Sequence, residues 1–225
     1  MKKNVSACRF HRTWLSVGLL VVLVASATFA QAPDGIIANL PIEEKAAPVA
    51  PSKPTLAVEN CKIKNFGQVT DQYFRGAQPK PEEYQQLAAL GVKTVIDLQA
   101  ETSSFAKAKA EAAGLLYINL PMSDTKYPPQ ETIQRFLELV KDQANFPIFV
   151  HCRGGRHRTG AFTAVFRMTF QGWDVEKAYD EMKDYDFYTR WGHKAMKTFV
   201  FDYWTKLQTQ RKETAAQTPP VTVVP

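Results

Sequence analysis

Short apolar segments alternate with helix-like segments between residues 61 and 208, and this alternation leaves few possible folds. The apolar segments are YFRG (73–76), KTVIDL (93–98), LLYINLP (115–121) and PIFVH (147–151). Short apolar strands that alternate with helices are typical of parallel sheets covered on both faces. The pattern therefore predicts an α/β fold: a single domain with a short, mostly parallel central sheet flanked by helices.

The segments between these strands carry helix signals. PEEYQQLAALG opens with a proline and two acids and stops at a glycine, and apolar residues recur on one helical face between Ile133 and Val140. The segment after Gly160 is apolar on almost every side, which is typical of a helix buried in the middle of a domain. Helices are predicted over residues 81–91, 103–113, 130–142 and 196–207 and directly after Gly160.

The first 32 residues have the composition of an export signal. Lys2, Lys3, Arg9 and Arg12 precede an apolar run over residues 14–27, and a small-residue cleavage pattern follows. We therefore predict a signal peptide over residues 1–32 and an exported mature protein, periplasmic or secreted. The alternative is an uncleaved membrane anchor, because the apolar run can be extended to about the minimum length that spans a bilayer.

Two proline-containing segments flank the predicted domain. Residues 33–60 contain five prolines and no hydrophobic periodicity, and residues 209–225 contain three prolines. Such segments bury too little apolar surface to offset the entropy that ordering would cost. We predict a flexible spacer over residues 33–60, the folded domain over residues 61–208 and a disordered tail over residues 209–225.

The charge of the chain argues against a nucleic-acid partner. The formal net charge of +6 includes the four cations of the predicted signal, so it falls to +2 once the signal is removed. A nucleic-acid-binding domain usually has a basic face, whereas the only dense basic run here is HCRGGRHRTG at residues 151–160. We expect no nucleic-acid partner, no stable membrane insertion after cleavage, and a monomer.

The run HCRGGRHRTG lies between the strand PIFVH and the buried helix. In parallel sheets, ligands bind at the carboxyl ends of the strands, and a glycine-rich turn into a helix points backbone N–H groups at one anion. Gly154, Gly155 and Gly160 allow the tight backbone, and the guanidinium of Arg158 fits two phosphate oxygens. The same groups stabilise the thiolate of Cys152, which is the nucleophilic form of cysteine.

This run resembles the HCx5R[S/T]G loop of the cysteine-dependent protein tyrosine and dual-specificity phosphatases, because five residues separate Cys152 from Arg158 and Thr159-Gly160 follow. The resemblance is closest to the atypical dual-specificity phosphatases of the plant-and-fungal, Siw14-like type and their bacterial relatives. YFRGAQP, LGVKTVIDLQAE, LPMSD and QGWDVEKAYDEMKDY look like the same group, over most of residues 66–205. The resemblance implies a dual-specificity phosphatase-like fold.

The resemblance also implies a phosphatase that hydrolyses phosphomonoesters, and the predicted signal peptide would make it an exported one. Cys152 would attack phosphorus to form a cysteinyl-phosphate, Arg158 would bind the phosphoryl oxygens, and Thr159 would donate to the departing thiolate. The substrate would be a phosphoprotein, an inositol phosphate or a phosphoinositide. No cofactor is implied, and the four histidines show no spacing that predicts a metal site.

A carboxylic acid must protonate the leaving oxygen in this mechanism. Our candidate is Asp124, which lies after the strand LLYINLP and twenty-eight residues before Cys152. The spacing resembles that of small dual-specificity phosphatases. Asp97, at the end of a neighbouring strand, is the substitute and Glu101 a weaker one, while Asp124 would then only cap a turn.

The remaining loop residues are predicted to bind substrate phosphate: Arg153, Gly154, Gly155, Arg156 and His157. The two arginines resemble the lysine-rich loops of phosphatases that act on inositol phosphates, which favours a polyanionic substrate; the alternative is that they are solvated cations. His151 and His157 either orient the loop or are core residues. Arg75 and Gln78 either point into the site or tie a loop down.

Two other functional classes remain open. A rhodanese-like or arsenate-reductase-like thiol enzyme also places a cysteine in an anion loop, but it lacks the Arg-Thr-Gly continuation. A phosphate-binding module without turnover would not need both Cys152 and an acid.

After removal of the signal, Cys61 and Cys152 are the two cysteines left, and in an oxidising compartment they can form a reversible disulfide.

Overall fold

The computed structural model describes residues 56–217 of the 225-residue chain. Its strands are β1 (Gly67–Thr70), β2 (Tyr73–Ala77), β3 (Thr94–Gln99), β4 (Leu116–Met122) and β5 (Ile148–Cys152). They form one five-stranded sheet in the order β1-β2-β5-β3-β4. Only the β1–β2 pair is antiparallel, so the short, mostly parallel sheet predicted from the sequence is confirmed.

The helices lie on both faces of this sheet. They are α1 (Tyr84–Ala89), α2 (Ala106–Ala112), α3 (Gln130–Lys141), α4 (His157–Phe170), α5 (Val175–Asp184) and α6 (Lys194–Gln217). Each predicted helix is present with shifted ends, and α5 and β1 were not predicted. Asp174 caps α5, because its side chain accepts a hydrogen bond of 2.8 Å from the backbone N–H of Lys177.

Alternate residues of the central strands feed two hydrophobic clusters. Ile96 and Ile148 pack in one cluster with α3, α4, α5 and α6, whereas Val95 and Phe149 pack in the other with α1 and α2. This follows from the period of two along a strand, which sends successive side chains to opposite faces. The apolar runs in the sequence are therefore strands buried on both sides.

Helix α4 is the central helix of the larger cluster. Nearly all its residues are buried, as predicted, and the ring of Phe162 lies 4.9 Å from that of Phe136 and 6.0 Å from that of Phe199. The helix begins at His157 and not after Gly160, so Arg158 and Thr159 lie in its first turn. The basic loop is therefore shorter than the sequence suggested, with residues 153–156 joining β5 to α4.

Both ends of the domain extend beyond the predicted bounds. Leu56 and Val58 pack against the second cluster, so the predicted spacer of residues 33–60 is wrong for its last five residues. Residues 209–217 continue α6, where Arg211 donates a hydrogen bond of 2.8 Å to the carbonyl of Met168. The disordered tail predicted over residues 209–225 is therefore wrong up to Gln217, because no glycine or proline interrupts the helix before that point.

The signal peptide predicted over residues 1–32, the rest of the spacer and residues 218–225 lie outside the described residues. Within residues 56–217, none of the helices has both the length and the apolar composition that crossing a membrane requires.

Candidate active site

Cys152 is the last residue of β5, which lies between β2 and β3 in the sheet. Because these three strands are parallel, their carboxyl ends meet at the same edge, and α4 begins there five residues after the cysteine. The start of a helix carries unpaired N–H groups and a partial positive charge. The chain therefore folds so that a thiol at the end of a central strand lies beside the positive end of a buried helix.

The backbone of the loop is held by contacts that only glycine permits. Gly155 has a φ of 67°, and a Cβ there would lie 2.5 Å from the carbonyl carbon of Gly76 and 2.6 Å from the amide nitrogen of Ala77. A residue with a side chain would therefore meet both backbone strain and a steric clash. The loop consequently packs directly on the end of β2.

Two polar side chains bind the carbonyl groups of this loop. The buried Arg75 donates a hydrogen bond of 3.0 Å to the carbonyl of Gly155, and its guanidinium stacks on the ring of Tyr185 at 3.8 Å. The amide of Asn65 donates to the same carbonyl at 3.1 Å and to that of Gly154 at 3.4 Å. Burial lowers the pKa of Arg75, while the carboxylate of Glu181 opposes this effect. Arg75 therefore ties the loop down, the second of the two roles considered for it.

A cavity of about 170 Å³ opens at this loop. It is lined by Asp124, Cys152, Arg153, Gly154, Arg156, His157, Arg158, Tyr188 and His193. Cys152 is 3% exposed, so its thiol is reached through this cavity and not from a flat surface. The structure thus brings the predicted nucleophile, the predicted acid and most of the predicted phosphate-binding residues together around one small space.

Gly155, Thr159, Arg75 and Gln78 are outside the lining of the cavity. Thr159 is fully buried, and its hydroxyl has no hydrogen-bond partner among the described residues. The amide nitrogen of Gln78 donates to the Tyr84 hydroxyl of α1 at 2.8 Å, and its amide oxygen accepts from Gln99 at the end of β3 at 2.6 Å. None of these four residues lines the cavity, and of their side chains that of Arg75 holds the loop by a hydrogen bond.

Arg158 is fixed by the ends of two strands. Its Nη1 donates hydrogen bonds to the carbonyls of Met122 on β4, at 3.1 Å, and of Leu98 on β3, at 3.5 Å. The side chain is 8% exposed and lines the cavity. Because the guanidinium is held from the sheet side, its orientation toward an anion is set before any substrate arrives.

The two other arginines of the loop differ in exposure. Arg153 is exposed, whereas Arg156 is half-buried, with its Nε 3.6 Å from a carboxylate oxygen of Asp186. Both line the cavity. The rim is therefore positively charged, although Asp186 offsets part of the charge of Arg156.

The structure separates the candidate acids. Asp124 lies two residues after β4, is half-buried and lines the cavity. Asp97 is fully buried on β3, where its carboxylate accepts hydrogen bonds from the Gln99 backbone at 2.9 Å and the Tyr117 hydroxyl at 2.6 Å. Neither Asp97 nor Glu101 lines the cavity. Of the three, only Asp124 has access to a substrate bound at Cys152.

His151 is a core residue. It is fully buried on β5, with its Nδ1 3.8 Å from Asp97 and its ring stacked on Phe149 at 5.6 Å. Burial lowers the pKa of His151, and Asp97 acts in the opposite direction. It does not line the cavity, so any effect on the loop is indirect.

Tyr188 and His193 complete the cavity, and neither was predicted from the sequence. The ring of His193 stacks on His157 with centroids 3.6 Å apart, and the ring of Tyr188 makes T-shaped contacts with both. The Nδ1 of His193 donates a hydrogen bond of 2.9 Å to the backbone carbonyl of Asp124. Burial and the neighbouring His193 lower the pKa of His157 to about 4. The only available signal was the aromatic-rich run YDFYTRWGH at residues 185–193.

Cys61 and Cys152 are both free in the structure. Cys61 packs against the second hydrophobic cluster, and Cys152 belongs to the first, on the other face of the sheet. Among residues 56–217, no three His, Cys, Asp or Glu side chains are grouped so as to hold a metal ion. The side-chain groups that line the cavity are a thiol, a carboxyl group, guanidinium groups, two imidazoles and a phenol.

Residues 57–198 match the family model described as "DSP-PTPase phosphatase fused to NAD+ Kinase". The dual specificity protein phosphatase TpbA of Pseudomonas aeruginosa (strain UCBPP-PA14) is 28% identical over 61% of this chain and 62% of its own. The inositol diphosphatase DSP4 of Arabidopsis thaliana is 30% identical over 52% of this chain and 61% of its own. The match to inositol diphosphatase SIW14 of Saccharomyces cerevisiae covers 46% of that protein, at 29% identity and over 55% of this chain. The chain thus spans about half to three-fifths of the length of these relatives.

The fold is shared with solved phosphatase structures. The crystal structure of P. aeruginosa TpbA superposes with a TM-score of 0.57 at 24% identity, over 68% of this chain and 91% of that one. The catalytic core of Siw14 gives a TM-score of 0.56 at 23% identity, over 69% and 94%. Because the family model covers more than half of the chain, this protein belongs to the DSP-PTPase phosphatases, the dual-specificity group of the protein tyrosine phosphatases.

Proposed function

We propose that this protein is a cysteine-dependent phosphatase that hydrolyses phosphate esters through a cysteinyl-phosphate intermediate. The observation that carries the proposal is the cavity that Cys152, Arg158 and Asp124 line together. The relatives named above are phosphatases, which also supports it. None of these relatives is named as a rhodanese or an arsenate reductase.

In the first step, the thiolate of Cys152 attacks phosphorus while the bond from phosphorus to the leaving oxygen breaks. Asp124 gives its proton to that oxygen, so the product leaves as an alcohol. In the second step, Asp124 takes a proton from water, the water oxygen bonds to phosphorus, and the sulfur–phosphorus bond breaks. Inorganic phosphate is released, and the thiolate and the protonated acid are restored.

Negative charge on the phosphoryl oxygens is stabilised throughout by groups that are already in place. Arg158 is held by the carbonyls of Leu98 and Met122, and the start of α4 contributes its N–H groups and its dipole. Donors fixed before the reaction lower the barrier because they need no reorganisation as charge develops. Thr159, buried in the same helical turn, is the proposed donor to the departing sulfur.

We infer that the substrate is a phosphorylated protein side chain or a polyanionic inositol phosphate or phosphoinositide. TpbA is named as a protein phosphatase, and DSP4 and SIW14 as inositol diphosphatases. The exposed Arg153 and the half-buried Arg156 favour the polyanion, because they add positive charge around the cavity. Replacing both by alanine would reduce turnover of an inositol polyphosphate more than that of a phosphotyrosine peptide. An equal reduction would contradict the preference.

The phosphatase assignment is tested with p-nitrophenyl phosphate and the purified mature protein. We expect turnover that a chelator does not affect and that Cys152→Ser abolishes. Rapid quenching should trap a phosphoryl group on Cys152, located by mass spectrometry of the digested protein. Wild-type turnover in Cys152→Ser would overturn the assignment.

We also propose that the protein is exported. The support is the order of basic residues, apolar run and small-residue pattern in residues 1–32. N-terminal sequencing of protein recovered from fractionated cells tests this: a mature chain beginning near Pro33 in the exported fraction supports it, and an intact N-terminus in the membrane fraction supports the anchor.

A further inference from the structure

The segment between α5 and α6 forms one wall of the cavity. Its residues have no role in the reaction proposed above. Tyr188 and His193 come from this segment and line the same space as Cys152 and Asp124. His193 is only 8% exposed, so its polar contacts are shielded from water. A buried histidine at this place either fills space or contributes to the reaction. The partner of its hydrogen bond distinguishes the two roles.

That hydrogen bond reaches the segment that carries the acid. The Nδ1 of His193 is 2.9 Å from the backbone carbonyl oxygen of Asp124. A carbonyl oxygen only accepts, so the proton lies on Nδ1. Residues 123–129, between β4 and α3, have no regular structure that would fix Asp124 by itself. Among residues 56–217, the one hydrogen bond to Asp124 from another element is the bond from His193.

The ring of His193 is itself packed against the first residue of α4, directly after the loop of residues 153–156. It lies parallel to the ring of His157, with an interplanar angle of 8° and centroids 3.6 Å apart. His157 is the first residue of α4 and the direct neighbour of Arg158. Because the pKa of His157 is lowered to about 4, this ring is neutral near pH 7, and a neutral ring can stack closely on a second imidazole. The stack and the hydrogen bond of His193 thus connect the start of α4 to the segment of residues 123–129, which contains Asp124.

We propose that His193 is a positioning residue, which holds the backbone of Asp124 so that its carboxyl group faces the leaving oxygen at Cys152. This inference rests on the proposed phosphatase function. A general acid must lie within hydrogen-bond reach of the oxygen it protonates, and a displacement of about 1 Å can reduce the rate by up to about a hundredfold. In this role His193 forms no bond to phosphorus or to the leaving oxygen, and it acts through Asp124.

The test is a series of phosphate esters with different leaving groups. An acidic leaving group such as p-nitrophenol departs without a proton, whereas phenol and alkyl alcohols need the acid. We expect His193→Ala to lower kcat about tenfold or more for phenyl phosphate, with a clearly smaller loss for p-nitrophenyl phosphate and little change in KM. In an Asp124→Asn background, His193→Ala should cause no further loss, because it acts through a group that is already absent.

Two substitutions keep the test valid if His193→Ala does not fold. His193→Asn places an amide nitrogen at the position of Nδ1 and should keep the wild-type dependence on leaving group. His193→Gln places the amide near Nε2 and should lose it. Lys194→Ala is the matched control, since Lys194 is exposed, adjacent in sequence and outside the cavity lining, and it should behave as wild type.

Equal losses for all leaving groups, or the same behaviour of His193→Asn and His193→Gln, would overturn the positioning role while wild-type turnover stands. Absence of turnover and of cysteinyl-phosphate in the wild-type protein would instead overturn the phosphatase function on which the inference rests. The two failures are therefore distinct in the same experiment.

Discussion

At the scale of single residues, the groups around the cavity are held in place by contacts on the side that faces the sheet. Arg158 is held by two strand carbonyls, and Gly155 by Arg75 and the end of β2. The two carboxylates near the edge of the sheet differ in the same terms: Asp97 is buried and engaged by two donors, whereas Asp124 faces the cavity. Two residues of the same type therefore have different expected roles, because one carboxylate is buried in hydrogen bonds and the other faces the cavity.

The two aspartates should respond differently to the same substitution. Asp124→Asn should lower kcat for phenyl phosphate by about 10²- to 10⁴-fold, the usual contribution of a general acid, with thermal stability almost unchanged. Asp97→Asn should lower the free energy of unfolding, because it weakens the acceptor of the Gln99 and Tyr117 hydrogen bonds. Steady-state kinetics and urea unfolding of both variants test this. The reverse pattern would make Asp97 the acid.

The two loop glycines offer a second contrast. Gly155→Ala should destabilise the protein by at least about 2 kcal/mol, because the residue has a positive φ and its Cβ would meet the backbone of Gly76. Gly154→Ala should cost less than about 1 kcal/mol, since the atoms nearest to its Cβ are side-chain carbons of Arg156 at 3.8 Å. Urea unfolding compares the two. Equal losses would mean that the close approach of Gly155 to β2 does not determine the stability.

At the scale of elements, the sequence predicted the strands and helices whose signals are local. The strands β3 and β5 read as continuous apolar runs because both of their faces are buried. β1 was missed because its four residues, GQVT, alternate only briefly and their pairing with β2 is set by the tertiary fold. The start of α4 was placed too late, because Arg158 and Thr159 read as loop residues although they are helical.

The last turns of α6 give a prediction at this scale. Arg211→Ala should lower the free energy of unfolding by about 1 kcal/mol, because it removes the hydrogen bond to the Met168 carbonyl at the end of α4. Lys212→Ala, one residue further and exposed, is the matched control and should change stability by less than about 0.5 kcal/mol. Identical unfolding curves for both variants would show that α6 does not need this contact.

At the scale of the whole molecule, the candidate site could be predicted only in part. Cys152, Arg158 and Asp124 were found because a contiguous motif and one spacing identify them. Tyr188 and His193 were missed because they reach the cavity only through the packing of α5 and α6, which no local pattern records. Arg75 was left undecided because its role depends on the loop carbonyl that it contacts, eighty residues away.

The buried histidines predict how stability changes with pH. Burial lowers the pKa of His151 and His157 below the ordinary value of 6.5, so the unfolded chain binds more protons than the folded one below that pH. The free energy of unfolding should therefore fall as the pH drops from about 6.5 toward about 4. Urea unfolding at several pH values tests this, and His157→Gln should make the decrease shallower. A stability that rises on acidification over this range would contradict the argument.

The attachment of the loop also determines when the site can form during folding. Asn65 and Arg75 hold carbonyl groups that lie 80 to 90 residues later in the chain. Closing so long a segment is among the slower events of folding, because its entropic cost precedes the contacts that compensate it. Recovery of turnover after dilution from denaturant would then require that Asn65 and Arg75 have reached the loop. During synthesis on the ribosome, these two residues would emerge long before the loop and Cys152.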